Sequence, residues 1–426
     1  MTIRALIMAA ATAKQLTVTP LSAPVMPPAN LLTGRFVWEI GVSGYGYPNV
    51  NGGGANGLSV WDWDSAAGKY DMSNFATVDG YESYYSSQGL GVIGFVNATT
   101  VIVVGNGLVE SVSDTKVGRA VIAIGAVPSA SITFQTPATY AFDDPVNNVP
   151  LSTGRTPAVP YNGNMLYGLN GLPSATTYAA TNGWVQKVSS SATSRNATAL
   201  RSGLPTDSSQ GKPGRRIASL GGATPNGYVV ANVDDSVTNA TCRYQLVSCT
   251  STPVAVGTQL TYAGNCFAGG DMLQIGASAV AAVDFYNSAG RGRVSLLTTN
   301  SATVPTTLSK GAEVLLPAPI DFALADLANC RLGAVPSCWF AEGKSIAWVE
   351  WISLVTGTHY LRPVIISSTG PTNISVSLPS TDLNGRPSPV VNSQGDCGFI
   401  VAAPGGKAVL LMRTADGEIT QYVYQL

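Results

Sequence analysis

Cys397-Gly-Phe-Ile-Val-Ala-Ala403, the turn Pro404-Gly-Gly-Lys407, Ala408-Val-Leu-Leu-Met412, the turn Ala415-Asp-Gly-Glu418, and Ile419-Thr-Gln-Tyr-Val-Tyr424 close this chain of 426 residues. Three apolar runs rich in β-branched and aromatic residues, parted by turns that carry Gly, Pro or Asp, read as three antiparallel strands. The same unit stands upstream. Cys338-Trp-Phe-Ala341, Glu342-Gly-Lys344, Ser345-Ile-Ala-Trp-Val-Glu-Trp351, Val355-Thr-Gly-Thr358 and His359-Tyr-Leu-Arg-Pro-Val364 form one copy. Met272-Leu-Gln-Ile275, Gly276 to Ser278, Ala279 to Tyr286, Ser288-Ala-Gly290 and Val294-Ser-Leu-Leu297 form another. Earlier copies are blurred but present: Arg35 to Gly41 with Leu58 to Trp63, Leu90 to Phe95 with Val101 to Val104 and Leu108 to Val112, a degraded copy at Trp184 to Val188, and Gly227 to Val233 with Cys242 to Val247.

The units recur at roughly 45 to 70 residues, within the range of propeller repeats with loop insertions. A sheet of three or four strands cannot cover both of its own faces, whereas sheets stacked radially bury a continuous core and leave only short protected edges. The unit resembles a β-propeller blade. The expected fold is therefore all-β, a propeller of about seven blades over residues 34–426, preceded by an N-terminal arm and closure strand over 1–33. Gln15 to Thr19 alternates apolar and polar residues before Pro20 and is expected to complete the last sheet beside Ile419 to Tyr424. The alternative is two or three β-sandwich domains divided near Ser189 to Arg216. Helical periodicity is confined to Ile320 to Cys330 and the first dozen residues.

Charged residues make up 11% of the chain, net charge is −1, and 46 Gly with abundant Ser, Thr and Asn fill the polar positions. Such a balance gives no electrostatic footprint for nucleic acid or an anionic membrane. No apolar run is long enough for a membrane-spanning helix. Arg outnumbers Lys 15 to 8, as favoured in interfaces. Met1 to Ala13 mimics a signal peptide and is expected to be retained, docking its apolar stripe on another subunit. With the start Arg4-Ala-Leu-Ile-Met-Ala-Ala10, this low-charge composition resembles structural proteins of tailed bacteriophages. The resemblance implies a non-enzymatic virion subunit of the tail or attachment apparatus, a symmetric homo-oligomer whose partners are other virion structural proteins. The rival expectation is a secreted or surface propeller that binds carbohydrate, such as a host surface glycan.

Candidate sites are sparse. Tyr45 and Tyr47, with Tyr81, Tyr84 and Tyr85, lie in Gly-, Ser- and Asn-bearing loops, the residue mix of an adaptable contact surface for sugars or proteins, and are the expected ligand-binding residues. Tucking against a neighbouring blade is their other reading. Asp62-Trp-Asp64-Ser-Ala-Ala-Gly68-Lys-Tyr-Asp71 has a calcium loop's alternating acids but no closing Glu, and reads as a hairpin turn. His359 is the single histidine and no Gly-x-Ser-x-Gly elbow accompanies it, so nucleophilic catalysis is not expected. The acids Asp143-Asp144, Asp234-Asp235 and Glu110 read as solvated loop residues. No phosphate-binding loop, zinc spacing or cofactor motif is present, and no metal or cofactor is expected. The six Cys at 242, 249, 266, 330, 338 and 397 read as buried thiols or as local bridges Cys242–Cys249 and Cys330–Cys338.

Overall fold

The computed structural model describes residues 17–20, 24–27, 34–43, 55–77, 92–106, 117–125, 132–134, 158–170, 183–191, 196–201, 217–234, 241–264, 272–286, 291–317, 331–333, 341–352, 359–389, 398–413 and 418–426. These form seven sheets in chain order, with no helix among them. The first holds β1 (Thr17–Pro20), β2 (Arg35–Ser43), β3 (Ala55–Asp64) and β4 (Lys69–Thr77); the second β5 (Val92–Asn97), β6 (Thr100–Asn106), β7 (Val117–Ile124) and β8 (Ile132–Phe134). The third holds β9 (Ala158–Tyr161), β10 (Asn164–Asn170), β11 (Gly183–Ser189) and β12 (Asn196–Arg201); the fourth β13 (Ile217–Ser219), β14 (Tyr228–Asp234), β15 (Thr241–Ser248) and β16 (Val254–Ala263). The fifth holds β17 (Met272–Gly276), β18 (Ala279–Tyr286), β19 (Arg291–Thr299) and β20 (Leu308–Leu315); the sixth β21 (Arg331–Gly333), β22 (Lys344–Ile352), β23 (His359–Gly370) and β24 (Asn373–Ser377). The seventh has three strands, β25 (Gly398–Ala403), β26 (Lys407–Arg413) and β27 (Ile419–Gln425).

Six apolar clusters stitch these sheets into a ring. Val37, Val60, Phe95 and Ile122 join the first sheet to the second. Ile102, Val188 and Met165 join the second to the third. Val185, Val229 and Val247 link third and fourth; Val230, Leu246, Val280 and Leu297 link fourth and fifth. Leu273, Leu296, Ala347 and Val364 link fifth and sixth. The largest cluster runs from Trp348 through Ile400 and Leu410 to Trp38, joining the sixth sheet to the seventh and the seventh to the first. Successive side chains of a strand point to opposite faces, so each sheet feeds two seams: on β14, Val229 and Ala231 face the third sheet while Val230 faces the fifth. This is the expected β-propeller. The sandwich alternative fails because the supposed division near Ser189 to Arg216 is bridged by the continuous seam between third and fourth sheets.

Closure differs from the expectation. β1 pairs with β2 inside the first sheet, Thr17 opposite Ser43 and Pro20 opposite Ile40, and Val25 extends the same edge by exchanging both backbone bonds with Val37. The outer edge of β27, where a closure strand was expected, is occupied by the segment leading out of the sixth sheet. Leu383 N donates to Val423 O at 2.7 Å, and the Arg386 guanidinium, gripped by Asp382, donates to Gln421 O. The ring closes through side chains instead. Tyr70 Oη donates to Ala402 O at 2.5 Å, and the Gln421 amide accepts from Tyr70 N at 2.8 Å while donating to Tyr70 O at 2.6 Å. Residues 1–16, and with them the docking role expected of Met1 to Ala13, lie outside the described residues, as does the helix expected at Ile320 to Cys330.

Candidate functional site

The antiparallel order gives the ring two unlike ends. Connections between first and second and between third and fourth strands of a sheet emerge at one end and are mostly short turns, among them 65–68, 98–99, 162–163, 277–278, 371–372 and 404–406. The opposite end receives the remaining connections, including 44–54 and 78–91. Tyr45, Tyr47, Tyr81, Tyr84 and Tyr85 fall in those two stretches, outside the described residues.

At the short-turn end, a groove of about 480 Å³ lies on the seam between fifth and sixth sheets. Its walls are the β17–β18 turn (Gly276, Ser278, Ala279), the end of β19 (Thr298, Thr299), Glu342 and Gly343 before β22, and Ser368 to Pro371 after β23. Backbone bonds fix it: Gly343 N donates to Ile275 O at 2.6 Å and Ser368 N to Gly343 O at 2.7 Å. Gly343 has φ +79°, and a Cβ there would stand 2.3 Å from Ser368 O, so only glycine fits. Glu342 is held without a cation. Both carboxylate oxygens accept from Ala277 N at 3.2 Å, and the carboxylate sits where a side chain on Gly276 would be, 2.5 Å from an ideal Cβ. Among the described residues lining the groove there is no Lys, Arg or His, and Glu342 is the one acid. Thr299 Oγ1 is spent on Ser278 O and Ser301 O and Ser368 Oγ on Gly370 O, which stiffens two walls; Ser278, Thr298 and Thr369 add further hydroxyls.

A second polar cluster lies on the seam between fourth and fifth sheets, toward the opposite end. Asp284 on β18 is fully buried; Arg293 Nε donates to its Oδ1 at 2.6 Å, and Tyr262 Oη and Ser295 Oγ donate to its Oδ2 at 2.8 and 3.0 Å. Arg293 also donates to Ala263 O at 2.6 Å and reaches Glu313 at 3.2 Å, with Lys310 paired to the same Glu313. The Tyr262 ring lies 5.3 Å from the Arg293 guanidinium and 4.9 Å from Lys310 Nζ. Burial pushes the Asp284 carboxyl up to about 6, against the pull of Arg293, Tyr262 and Ser295 toward ionisation. A raised carboxyl is the signature of an acid catalyst, but with no exposed surface this one meets no substrate. It latches β16 to β18 and β19.

The other sequence candidates resolve simply. Asp62 is bound twice by Arg35, whose third bond goes to Gly125 O of the second sheet, and Asp64 Oδ1 accepts from Ala66 N and Ala67 N. The acids of the calcium-like stretch are thus committed to an ion pair and a turn. Among the described residues no three His, Cys, Asp or Glu side chains gather as a metal site. Cys242 and Cys249 are buried; they belong to opposite seams of the fourth sheet, which excludes the local bridge, and burial pushes the Cys249 thiol up to about 12 against the pull of Lys187. His359 opens β23, an interior strand, opposite Ile352. The remaining four Cys, Glu110 and Asp143-Asp144 lie outside the described residues. Glu342-Gly343-Lys344 was legible as a turn, but nothing in it signals a groove, because the other walls come from residues 25 to 66 positions away in the chain.

No family model matches the chain, and no curated protein does. Among solved structures it is similar to the periplasmic gluconolactonase of Pseudomonas aeruginosa, at 11% identity and TM-score 0.44 over 91% of this chain and 97% of that one. It is similar also to a putative 6-phosphogluconolactonase of Bacteroides fragilis, at 10% and 0.42 over 85% and 89%. A third is Sqt1 of Saccharomyces cerevisiae, at 13% and 0.41 over 96% of both chains. The virion subunit expected from composition is corrected here: the propellers this chain resembles are bacterial lactonases and a yeast protein, not virion components. The scarcity of charge has an internal cause. Seven sheets bury both faces against one another, so most strand positions are seam rather than surface.

Proposed function

We propose that the protein is a carbohydrate-binding propeller whose groove between the fifth and sixth sheets takes a small polyhydroxylated ligand. The observation that carries this reading is the groove's lining: hydroxyls, backbone amides and glycines around one exposed, cation-free carboxylate. Its volume falls within the few hundred to about a thousand Å³ of small-molecule sites. Vicinal hydroxyls of a sugar donate well to a carboxylate, and such charge-assisted bonds are roughly twice as strong as neutral ones. The proposal is binding rather than turnover at this place. Glycoside cleavage needs two carboxyl groups flanking the bond, and Glu342 is the one acid among the described lining residues.

Isothermal titration against a panel of mono- and disaccharides checks the reading. Saturable binding that Gly343→Ala weakens at least ten-fold is expected, since the added Cβ displaces Ser368 O. Affinity unchanged in that variant, with the fold intact by circular dichroism, overturns the groove as the site. The experiment also detects turnover, because product release into the cell is read by mass spectrometry.

A further inference from the structure

We infer that the groove selects sugars bearing a protonated amine over neutral and anionic ones. This rests on the groove being a sugar site and adds the charge of the ligand. The cause is the imbalance already described: Glu342 contributes a carboxylate, the described lining residues include no Lys, Arg or His, and the carboxylate's protein partner is the neutral Ala277 N–H. Three other acids among the described residues are matched by arginines. Asp62 has Arg35, Asp284 has Arg293, and Asp382 has Arg386. Glu342 is exposed, and its place is set by the missing Cβ of Gly276 rather than by a counter-ion. A carboxylate so fixed beside a hydroxyl-lined wall offers an ammonium an ion-assisted bond while the ligand's hydroxyls meet Ser278, Thr298 and Thr369. A carboxylated or phosphorylated sugar meets like-charge repulsion at the same place, and selectivity is built by such repulsion as much as by attraction.

The test compares three disaccharide probes of one skeleton: the glucosamine dimer with free amines, its fully N-acetylated form, and cellobiose. Calorimetry at pH 6.5 and low salt is expected to give the free-amine dimer an affinity about ten-fold or more above the other two, the scale of one charge-assisted contact. Glu342→Gln is expected to abolish the difference: cellobiose loses the charge-assisted share of its hydroxyl bonds and keeps the amide's one acceptor, while the free-amine dimer loses its ion-assisted bond as well and falls to the same affinity. Gly276→Ala, which forces the carboxylate aside, is expected to shrink the preference as well. Raising salt screens it, and raising pH until the amine is neutral removes it. Two results overturn the inference and they are distinguishable. If cellobiose or the acetylated dimer binds as tightly as the amine, the charge selection is wrong and the sugar site stands; if none of the three binds, the site itself is wrong.

Discussion

At the closure seam Trp38 meets Phe399 edge-on, ring centroids 5.5 Å apart, while Phe36 stacks on Trp61 at 5.6 Å and abuts Tyr70 at 4.8 Å. At the seam between fourth and fifth sheets the corresponding depth holds Asp284, Arg293, Ser295 and Gln274, all buried, and Asn232 at 2% exposure. The first seam is held by apolar area and ring geometry, which tolerate small shifts. The second is held by directed bonds, and a buried ion pair must recover the desolvation of both charges before it stabilises anything. The difference teaches where each seam can fail: the aromatic one by loss of volume, the ionic one by loss of a single partner.

The largest effects should separate along that line. Trp38→Ala is expected to destabilise by about 3 to 5 kcal/mol through lost burial and the cavity left behind. Asp284→Ala is expected to cost a similar ~3 to 5 kcal/mol, because Arg293 remains buried without its carboxylate. Replacing both members, Asp284→Leu with Arg293→Met, should restore most of the loss, whereas no second substitution at Phe399 rescues Trp38→Ala. Urea denaturation of the four variants measures this. A double variant as unstable as Asp284→Ala would show that the pair is not the unit.

Next in size is a gain. Asn232 alternates with Val230 on β14 and so faces the ionic seam, yet neither its Nδ2 nor its Oδ1 has a partner. An orphaned buried amide costs about 1 to 3 kcal/mol, and an apolar group of the same shape does not. Asn232→Leu should therefore raise the melting temperature. A fall would mean that the amide is bonded in solution.

What the sequence made legible follows the same physics. Several strands expected from apolar runs, such as Leu58 to Trp63, Val101 to Val104 and Ala408 to Met412, lie within observed strands, because burial on both faces writes a continuous apolar signature, whereas Leu108 to Val112 lies outside the described residues. The outer strands escaped notice. β16 and β24 are largely exposed and polar, and their pairing is dictated by the neighbouring strand rather than by their own residues. In the sixth sheet β21 at Arg331–Gly333 pairs with β22 and Ala341 bridges Lys344, while Cys338 to Phe340 of the expected first strand lie outside the described residues. Closure was misjudged for a related reason: alternation in Gln15 to Thr19 marks an edge strand but not which edge it joins. Of the groove, the sequence shows Glu342-Gly343 as a turn and nothing of Gly276 beneath it. The Asp284–Arg293 pair was equally silent, since two opposite charges nine positions apart meet only after a hairpin places them in register.

The smallest expected effect is a pH slope, and it asks which force governs the ionic seam. Burial pushes the Asp284 carboxyl up to about 6, whereas in the unfolded chain it titrates near its ordinary value of about 4. Between those values the folded protein holds a proton that the unfolded chain has released, so stability from this group is fully present below about pH 4 and is lost as pH rises through about 6. Asp284→Asn has no such term. The stability difference between native protein and Asp284→Asn should therefore be most favourable to the native protein near pH 4.5 and shift toward the variant by pH 7.5, the two curves running parallel above that. Glu313, which reaches Arg293 from β20, is held low by Lys310 and Arg293 although its partial burial works the other way, and it contributes equally to both proteins, so it cancels. Thermal unfolding at pH 4.5, 6.0 and 7.5 reads the slope. If the native protein instead gains on the variant as pH rises, the Arg293 charge outweighs burial, the carboxyl is held low, and the ionic seam is strongest where it is fully ionised.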